Sequence, residues 1–298
     1  MVGPNYKPPQ PIVPTEWVGV AKTAPTAPSQ PSVATAQSAD LTQWWRQFND
    51  PTLTELVEEA MKTNLDLQVA EARLRQARAM RGVVAGGLWP SVTASGSYQH
   101  LLQSNAAQSD LGEQNLYQAG LDALWELDIF GGQHRNVESA DANIQAAIEN
   151  IRDVQVTLVA EVALNYIQLR GYQQEIVVAQ KNLKAQQDTA DITHKQLNVG
   201  FASALDAANA DANVSTTESQ IPVFETSARQ SIYALSVLLA RPPADLLNQL
   251  SPIGNIPIVP ARVPAGLPSD LLRRRPDIRE SEAQLHAATA QIGVAVAD

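Results

Sequence analysis

Apolar and polar positions change their period several times along this chain, and each change marks an element. From Asp50-Pro51 the apolar residues Leu53, Leu56, Val57, Ala60 and Met61 fall on one helical face, and a second helix is predicted from about Leu65 to Val84. Gly86, Gly87 and Pro90 end it. The period then becomes two. Ser91, Thr93, Ser95, Ser97 and Gln99 alternate with Val92, Ala94, Gly96 and Tyr98, which predicts a strand with unlike faces. After a polar loop over residues 103–113 the alternation resumes, with Tyr117, Ala119, Leu121, Ala123, Trp125, Leu127 and Ile129 on one face. Gln118, Gly120, Asp122, Glu126 and Asp128 lie on the other, and Leu124 is the exception. Such strands suit a membrane barrel, whose strands need about 9 to 11 residues between lipid and water. They suit equally a hairpin packed on helices in water, since soluble strands also alternate.

Beyond Gly131-Gly132 the helical period returns and persists. Steps of four and three residues from Ile144 reach Ile148, Ile151, Gln155, Leu158, Val162, Asn165, Leu169, Tyr172, Ile176, Ala179, Leu183, Gln186, Ala190, Thr193 and Leu197; twelve of these sixteen positions are apolar. A seam at this spacing predicts a coiled coil, here a rod of about 100 Å at about 1.5 Å per residue. Gly200 is placed to end the helix and Ser203 to cap the next, which runs from about Leu205 to Ala240 with a kink expected at Pro222. The two form a hairpin with its tip at 200–206. The chain then repeats itself. A shift of 211 positions lays Arg275–Asp298 over Asn64–Gly87 with eight identities in 24 positions, among them Glu71/Glu282, Ala72/Ala283, Ala79/Ala290 and Gly82/Gly293. A period this long implies a large module that packs beside its own second copy.

Composition narrows the possibilities. Eight prolines within residues 1–40, set among Ala, Ser, Thr and Gln, predict an extended arm that cannot fold alone. The net charge of −10 argues against nucleic acid, and Arg273-Arg274-Arg275 beside Pro276 marks a solvated linker. No run of 18 apolar residues is present, which excludes a membrane helix and says nothing of strands. The absence of cysteine excludes disulfides, thiolate metal sites and a thiol nucleophile. His100, His134, His194 and His286 are scattered without metal spacing and are expected at the surface. Gly82 and Gly86-Gly87 lack the Lys-Ser/Thr of a phosphate loop. No cofactor is implied. Asp122, Glu126 and Asp128 point one way along a strand face and cannot flank a substrate as a glycosidase acid pair does.

Four spaced motifs carry a resemblance: Val2-Gly3-Pro4-Asn5-Tyr6-Lys7-Pro8-Pro9; Trp44-Trp45 with Phe48, Asp50, Pro51 and Leu53; Trp125-Glu126-Leu127-Asp128-Ile129-Phe130-Gly131; and Leu267-Pro268 through Arg274-Arg275-Pro276-Asp277-Ile278-Arg279. In this order they resemble the TolC-like outer-membrane efflux channels, in particular the lipoprotein branch serving RND-type tripartite pumps. The match covers the first of the family's two repeats and the start of the second. It implies a mainly α fold with a β-hairpin: a long antiparallel coiled-coil hairpin plus two transmembrane barrel strands, one half of an α-barrel/β-barrel channel protomer. The divisions are an extended arm (1–40), an equatorial helix region (41–62), a helix of the first repeat (63–89), the strand pair (90–130), the periplasmic hairpin (131–241, tip near 199–206), a linker (242–272) and the opening of the second repeat (273–298).

The resemblance further implies a passive duct, not an enzyme. Three full-length copies would build twelve strands, and a periplasmic adaptor would join the duct to an inner-membrane RND-type pump. Tyr117, Leu121, Trp125, Leu127 and Ile129 would meet outer-membrane lipid, while Asp122, Glu126 and Asp128 line the lumen. The tip residues Val199, Gly200, Phe201 and Ser203 would dock the adaptor. Asp206, on the bland reading a first-turn carboxylate favouring its helix terminus, would also constrict the mouth. A lipidated cysteine, absent here, would stand before a segment like Val2–Pro9 and anchor the protein to the bacterial outer membrane. Two strands from each of three chains make six, below the about eight of the smallest barrels. Residues 1–298 alone are therefore expected to form no stable channel. The alternatives are a periplasmic coiled-coil adaptor, a structural coiled coil, or the outer-membrane channel of a type I secretion system. An adaptor would carry lipoyl-like and small-barrel sequence around the hairpin, and a structural coiled coil would need no strands.

Overall fold

A computed structural model describes residues 1–10, 33–34, 42–101, 114–259, 262–263 and 272–298. In chain order its elements are β1 (Val33–Ala34), a 3-10 turn (Trp44–Phe48), α1 (Pro51–Thr63), α2 (Leu65–Gly86), β2 (Ser91–Leu101), β3 (Gln114–Leu124), α3 (Gly132–Asn198), α4 (Ala204–Leu238), the single turn α5 (Leu247–Leu250), β4 (Arg262–Val263) and α6 (Pro276–Ala297). The chain divides into two units: Met1–Gln10, Ala72–Glu149 and Asp277–Asp298 form one, and Pro11–Glu71 with Asn150–Pro276 the other.

The second unit holds the apolar core. Helix α1 starts at Asp50, whose carboxylate accepts from the Leu53 amide at 3.0 Å, with Pro51 at the first helical position where its missing N–H costs nothing. Leu53, Leu56, Val57 and Ala60 then pack against Leu158, Val162, Tyr166 and Leu169 of α3 and against Ile232 and Leu235 of α4. The Tyr166 hydroxyl donates to Asp50 at 2.8 Å, so one carboxylate caps α1 and receives the largest fully buried side chain of α3. Thr63 and Asn64 donate to the carbonyls of Leu239 and Leu238, groups that the end of α4 leaves without helical partners. Leu246 and Leu250 are also fully buried in this core. The described start of the segment 242–272, expected as a linker, therefore contributes packing, and β4 pairs in parallel with β1, Val33 opposite Arg262.

From Ile151 to Leu197 every predicted seam position of α3 is buried or half-buried. Helix α4 answers with Ala207, Ala210, Val214, Thr217, Ile221, Phe224, Ala228, Ser231 and Leu235, again in steps of three and four and again without an exposed member. The helix runs on from Ala204 to Leu238 with Pro222 inside it. It has no break there.

In the first unit, β2 and β3 pair antiparallel over eleven residues each, Ser91 opposite Leu124 and Leu101 opposite Gln114. The alternation predicted to Ile129 thus overruns the strand by five residues. Its partner strand has already ended, because Pro90 before Ser91 has no N–H to extend the ladder. The repeat is exact in length: α2 and α6 each span 22 residues, and their starts differ by the 211 positions of the sequence shift. The expected loop 103–113, residues 11–32 and 35–40 of the arm, residue 41, and residues 260–261 and 264–271 of the expected linker lie outside the described residues.

Leu169 and Leu164 on α3 separate core from surface, at 0% and 57% exposure. Leu169→Ala should lower the unfolding free energy of the chain by about 2–5 kcal/mol, and Leu164→Ala by less than about 0.5 kcal/mol, in denaturant titrations followed by helical circular dichroism.

Candidate functional site

The hairpin tip is built from two matched helix ends. At the end of α3 the amide of Gly200 donates to the Leu197 carbonyl at 3.0 Å and that of Phe201 to the Gln196 carbonyl at 2.8 Å, the paired bonds of a Schellman motif. Gly200 has φ of +82°, a conformation that any side chain would strain. At the start of α4, Ser203 and Asp206 form a reciprocal capping box. The Asp206 amide donates to Ser203 Oγ at 3.2 Å, and Asp206 Oδ2 accepts from the Ser203 amide at 2.9 Å and from its hydroxyl at 2.7 Å. These hydrogen bonds hold the Asp206 carboxyl below its ordinary pKa. Between the two ends Val199 and Phe201 face solvent, Phe201 at 87% exposure, so the turn presents an apolar surface on a rigid base. Asp206 also borders a polar cleft of about 280 Å³ with Gln186, Thr189, Thr193, Asn209 and Asn213.

The strand pair presents two opposed surfaces. Its register places Val92, Ala94, Gly96 and Tyr98 opposite Ala123, Leu121, Ala119 and Tyr117, so this face is apolar or small along most of its length and turns polar at the end where His100 lies opposite Asn115. Tyr98 and Tyr117 meet on it with ring centroids 4.9 Å apart. The other face carries Ser91, Thr93, Ser95, Ser97 and Gln99 with Asp122 and Gln118 across from Thr93 and Ser97, and toward its two ends Leu124 opposite Ser91, Leu116 opposite Gln99, and Leu101. Every residue of both strands is exposed.

Of the residues expected to extend these faces, Trp125, Glu126, Leu127, Asp128 and Ile129 follow the strand and are not part of it. Trp125 Nε1 donates to the Leu88 carbonyl at 3.3 Å. Asp128 serves α3 instead: its Oδ2 accepts from the amide of His134 at 2.9 Å and from that residue's ring nitrogen Nδ1. The histidines expected as plain surface groups each have a partner. His194 Nε2 lies 3.0 Å from Asp211, His100 Nδ1 lies 2.8 Å from Asn115 Oδ1, and His286 Nε2 lies 3.0 Å from Glu138. The Asp128 and His286 contacts join positions 6 and 148 residues apart in sequence. The period of neither segment signals them.

A family profile described as outer membrane efflux protein matches residues 56–241. Nodulation protein T of Rhizobium leguminosarum bv. trifolii is 32% identical over 299 residues, covering 100% of this chain and 61% of its own length. The probable efflux pump outer membrane protein TtgC of Pseudomonas putida is 34% identical over 300 residues, covering 98% of this chain and 59% of its own. Among solved structures, the outer-membrane channel OprN superposes with a TM-score of 0.83 at 38% identity, over 99% of this chain and 64% of that one. The chain thus spans about three fifths of the length of these curated relatives.

The capping box gives the tip a pH dependence of known sign. Because the folded pKa of Asp206 is depressed, its contribution is complete above the ordinary carboxylate range and is lost as pH falls through the lower, folded value. Titration from pH 6 to 2 followed by NMR should show the Ser203 and Asp206 amide resonances moving together, with faster exchange of the Asp206 amide at the acid end. Asp206→Asn should abolish the titration.

Proposed function

This chain belongs to the outer membrane efflux protein family, and on that premise we propose that it forms part of an outer-membrane duct exporting small molecules. The strand pair supports this most directly. An eleven-residue ribbon with one mainly apolar face, one mainly polar face and no buried residue on either has the length and two-sidedness of a barrel wall between lipid and water. On this reading Tyr117 and Leu121 meet lipid, and Asp122 faces the lumen. Trp125, Leu127 and Ile129 sit at the lipid boundary just past the strand, where amphipathic rings such as indole are favoured. Glu126 borders the aqueous side, and Asp128 holds the first turn of α3.

A wall needs closure, because hydrocarbon cannot solvate the open edges of a two-stranded ribbon. We assign that closure to three copies of a full-length chain, each with more strands than the described pair. The duct is passive, with energy supplied by an inner-membrane RND-type pump reached through a periplasmic adaptor. Lipid attachment at a cysteine ahead of the Val2–Pro9 segment fits the same reading.

The tip Val199–Ser203 is the docking point for the adaptor, since it combines an exposed aromatic ring with a backbone fixed by hydrogen bonds at both helix ends. Asp206 belongs to the mouth of the duct, where copies related by symmetry would form a carboxylate ring. Two substitutions at the tip test this assignment. Phe201→Asp and Gly200→Trp, made in the full-length protein, should each reduce crosslinking to the adaptor and drug tolerance of the cells about tenfold while leaving outer-membrane levels unchanged. Asp206→Ala should raise single-channel conductance. Parent-like crosslinking and tolerance in both tip variants would reduce the tip to a turn.

A further inference from the structure

The segment Val2–Tyr6 has too little apolar surface to hold a shape by itself, yet its residues meet named groups on α3 and α6. The Val2 amide donates to the Phe130 carbonyl at 3.1 Å. Arg135, whose side chain is 4% exposed, donates from Nε to the Val2 carbonyl at 3.1 Å and from Nη2 to Asn5 Oδ1 at 2.7 Å. Gly3, with φ of +84°, passes so close to α6 that a Cβ would stand 2.5 Å from Gly293 Cα. Tyr6 stacks on His286 with centroids 4.5 Å apart and donates its hydroxyl to Glu282 at 3.1 Å. Glu138 closes the circuit, bound to Arg135 at 2.7 Å and to His286 at 3.0 Å.

The repeat supplies an internal control. Gly293 of α6 corresponds to Gly82 of α2, and a Cβ on Gly82 would meet nothing within 4 Å, whereas on Gly293 it would stand 2.9 Å from Arg135 Cγ. His286 corresponds to Arg75, which offers no comparable flat ring to stack on. Among the described residues the segment is received by the second copy of this helix.

We propose that Val2–Tyr6 is a clasp that locks α6, the first helix of the second repeat, onto α3 of the first. The segment can seat only when Arg135 on α3 and Gly293, His286 and Glu282 on α6 are already side by side. By reciprocity, a seated segment holds those two helices together. Withdrawing it would leave Arg135 a buried cation with three fewer acceptors, the carbonyls of Val2 and Gly3 and the Asn5 side chain, which favours separation of the helices over an empty groove. This inference goes beyond the export reading and does not rest on it.

The test is hydrogen–deuterium exchange on the intact full-length protein in detergent, comparing parent, Tyr6→Ala, His286→Ala and the double variant. Tyr6→Ala should raise exchange at least tenfold in residues 2–6 and equally in residues 282–294 of α6, while β2, β3 and α1 keep parental protection. His286→Ala should do the same, and the double variant should exceed either single one by no more than about twofold. Tyr6→Phe, which keeps the stack and loses only the Glu282 bond, should give a smaller rise confined to the same two segments. It carries the test should the alanine variants not fold. Exchange that rises in residues 2–6 while α6 stays parental would overturn the clasp, as would strictly additive effects or a uniform rise that includes α1.

Discussion

A two-stranded ribbon with no core beneath it is the constraint on which the rest of this structure depends. Its 22 residues are exposed on both faces, and each strand leaves one edge of N–H and C=O groups unpaired. In water an isolated hairpin is at best marginally stable, and in hydrocarbon its open edges are forbidden. The ribbon becomes stable only where further strands pair with its edges and lipid covers its apolar face. The helices need no such help. Leu53, Leu169 and Leu235 are removed from water within the chain itself, and the α3–α4 seam keeps its spacing from the apolar core to the tip.

That seam explains why the tip can be both exposed and ordered. An apolar ring such as Phe201 facing water contributes nothing to folding, and its backbone is fixed only because α3 ends in a Schellman motif and α4 begins in a capping box. Toward the tip most seam residues are small or polar, with Ala190, Thr193, Ala207 and Ala210 beside Leu197, where the apolar core has Leu158, Leu169 and Leu235. Hydrogen-bonded helix ends fix the backbone there. The clasp at Val2–Tyr6 uses the same device, with glycines admitting a backbone and one buried arginine fixing it.

Much of this was legible in the sequence because it is periodic. The steps of three and four from Ile151 to Leu197 marked the buried face of α3 residue by residue, and the 211-residue shift placed α6 on the bounds of α2. Alternation found both strands but misjudged where β3 ends, since Trp125, Leu127 and Ile129 continue the pattern after the partner strand has run out at Ser91. Periodicity reports faces, and pairing is decided by the neighbour. Contacts between distant positions left no periodic trace: Asp128 on His134, Tyr6 on His286, and Leu246 and Leu250 in a segment whose composition reads as linker. Ser203 and Asp206 were visible singly. Their reciprocity follows from the three-residue spacing of a capping box.

The central claim is that the strand pair is a barrel wall with lipid on one face and water on the other. Single cysteines placed at each position from 114 to 124 can each carry a spin label, because residues 1–298 contribute no other thiol and any thiol elsewhere in the full-length protein is replaced or blocked beforehand. In the full-length protein reconstituted into liposomes, the account predicts that labels at 117, 119, 121 and 123 are reached by oxygen dissolved in the bilayer. Labels at 118, 120 and 122 should be reached by a water-soluble nickel chelate, giving a period of two in the accessibility ratio. Equal access of the chelate to both faces would contradict it.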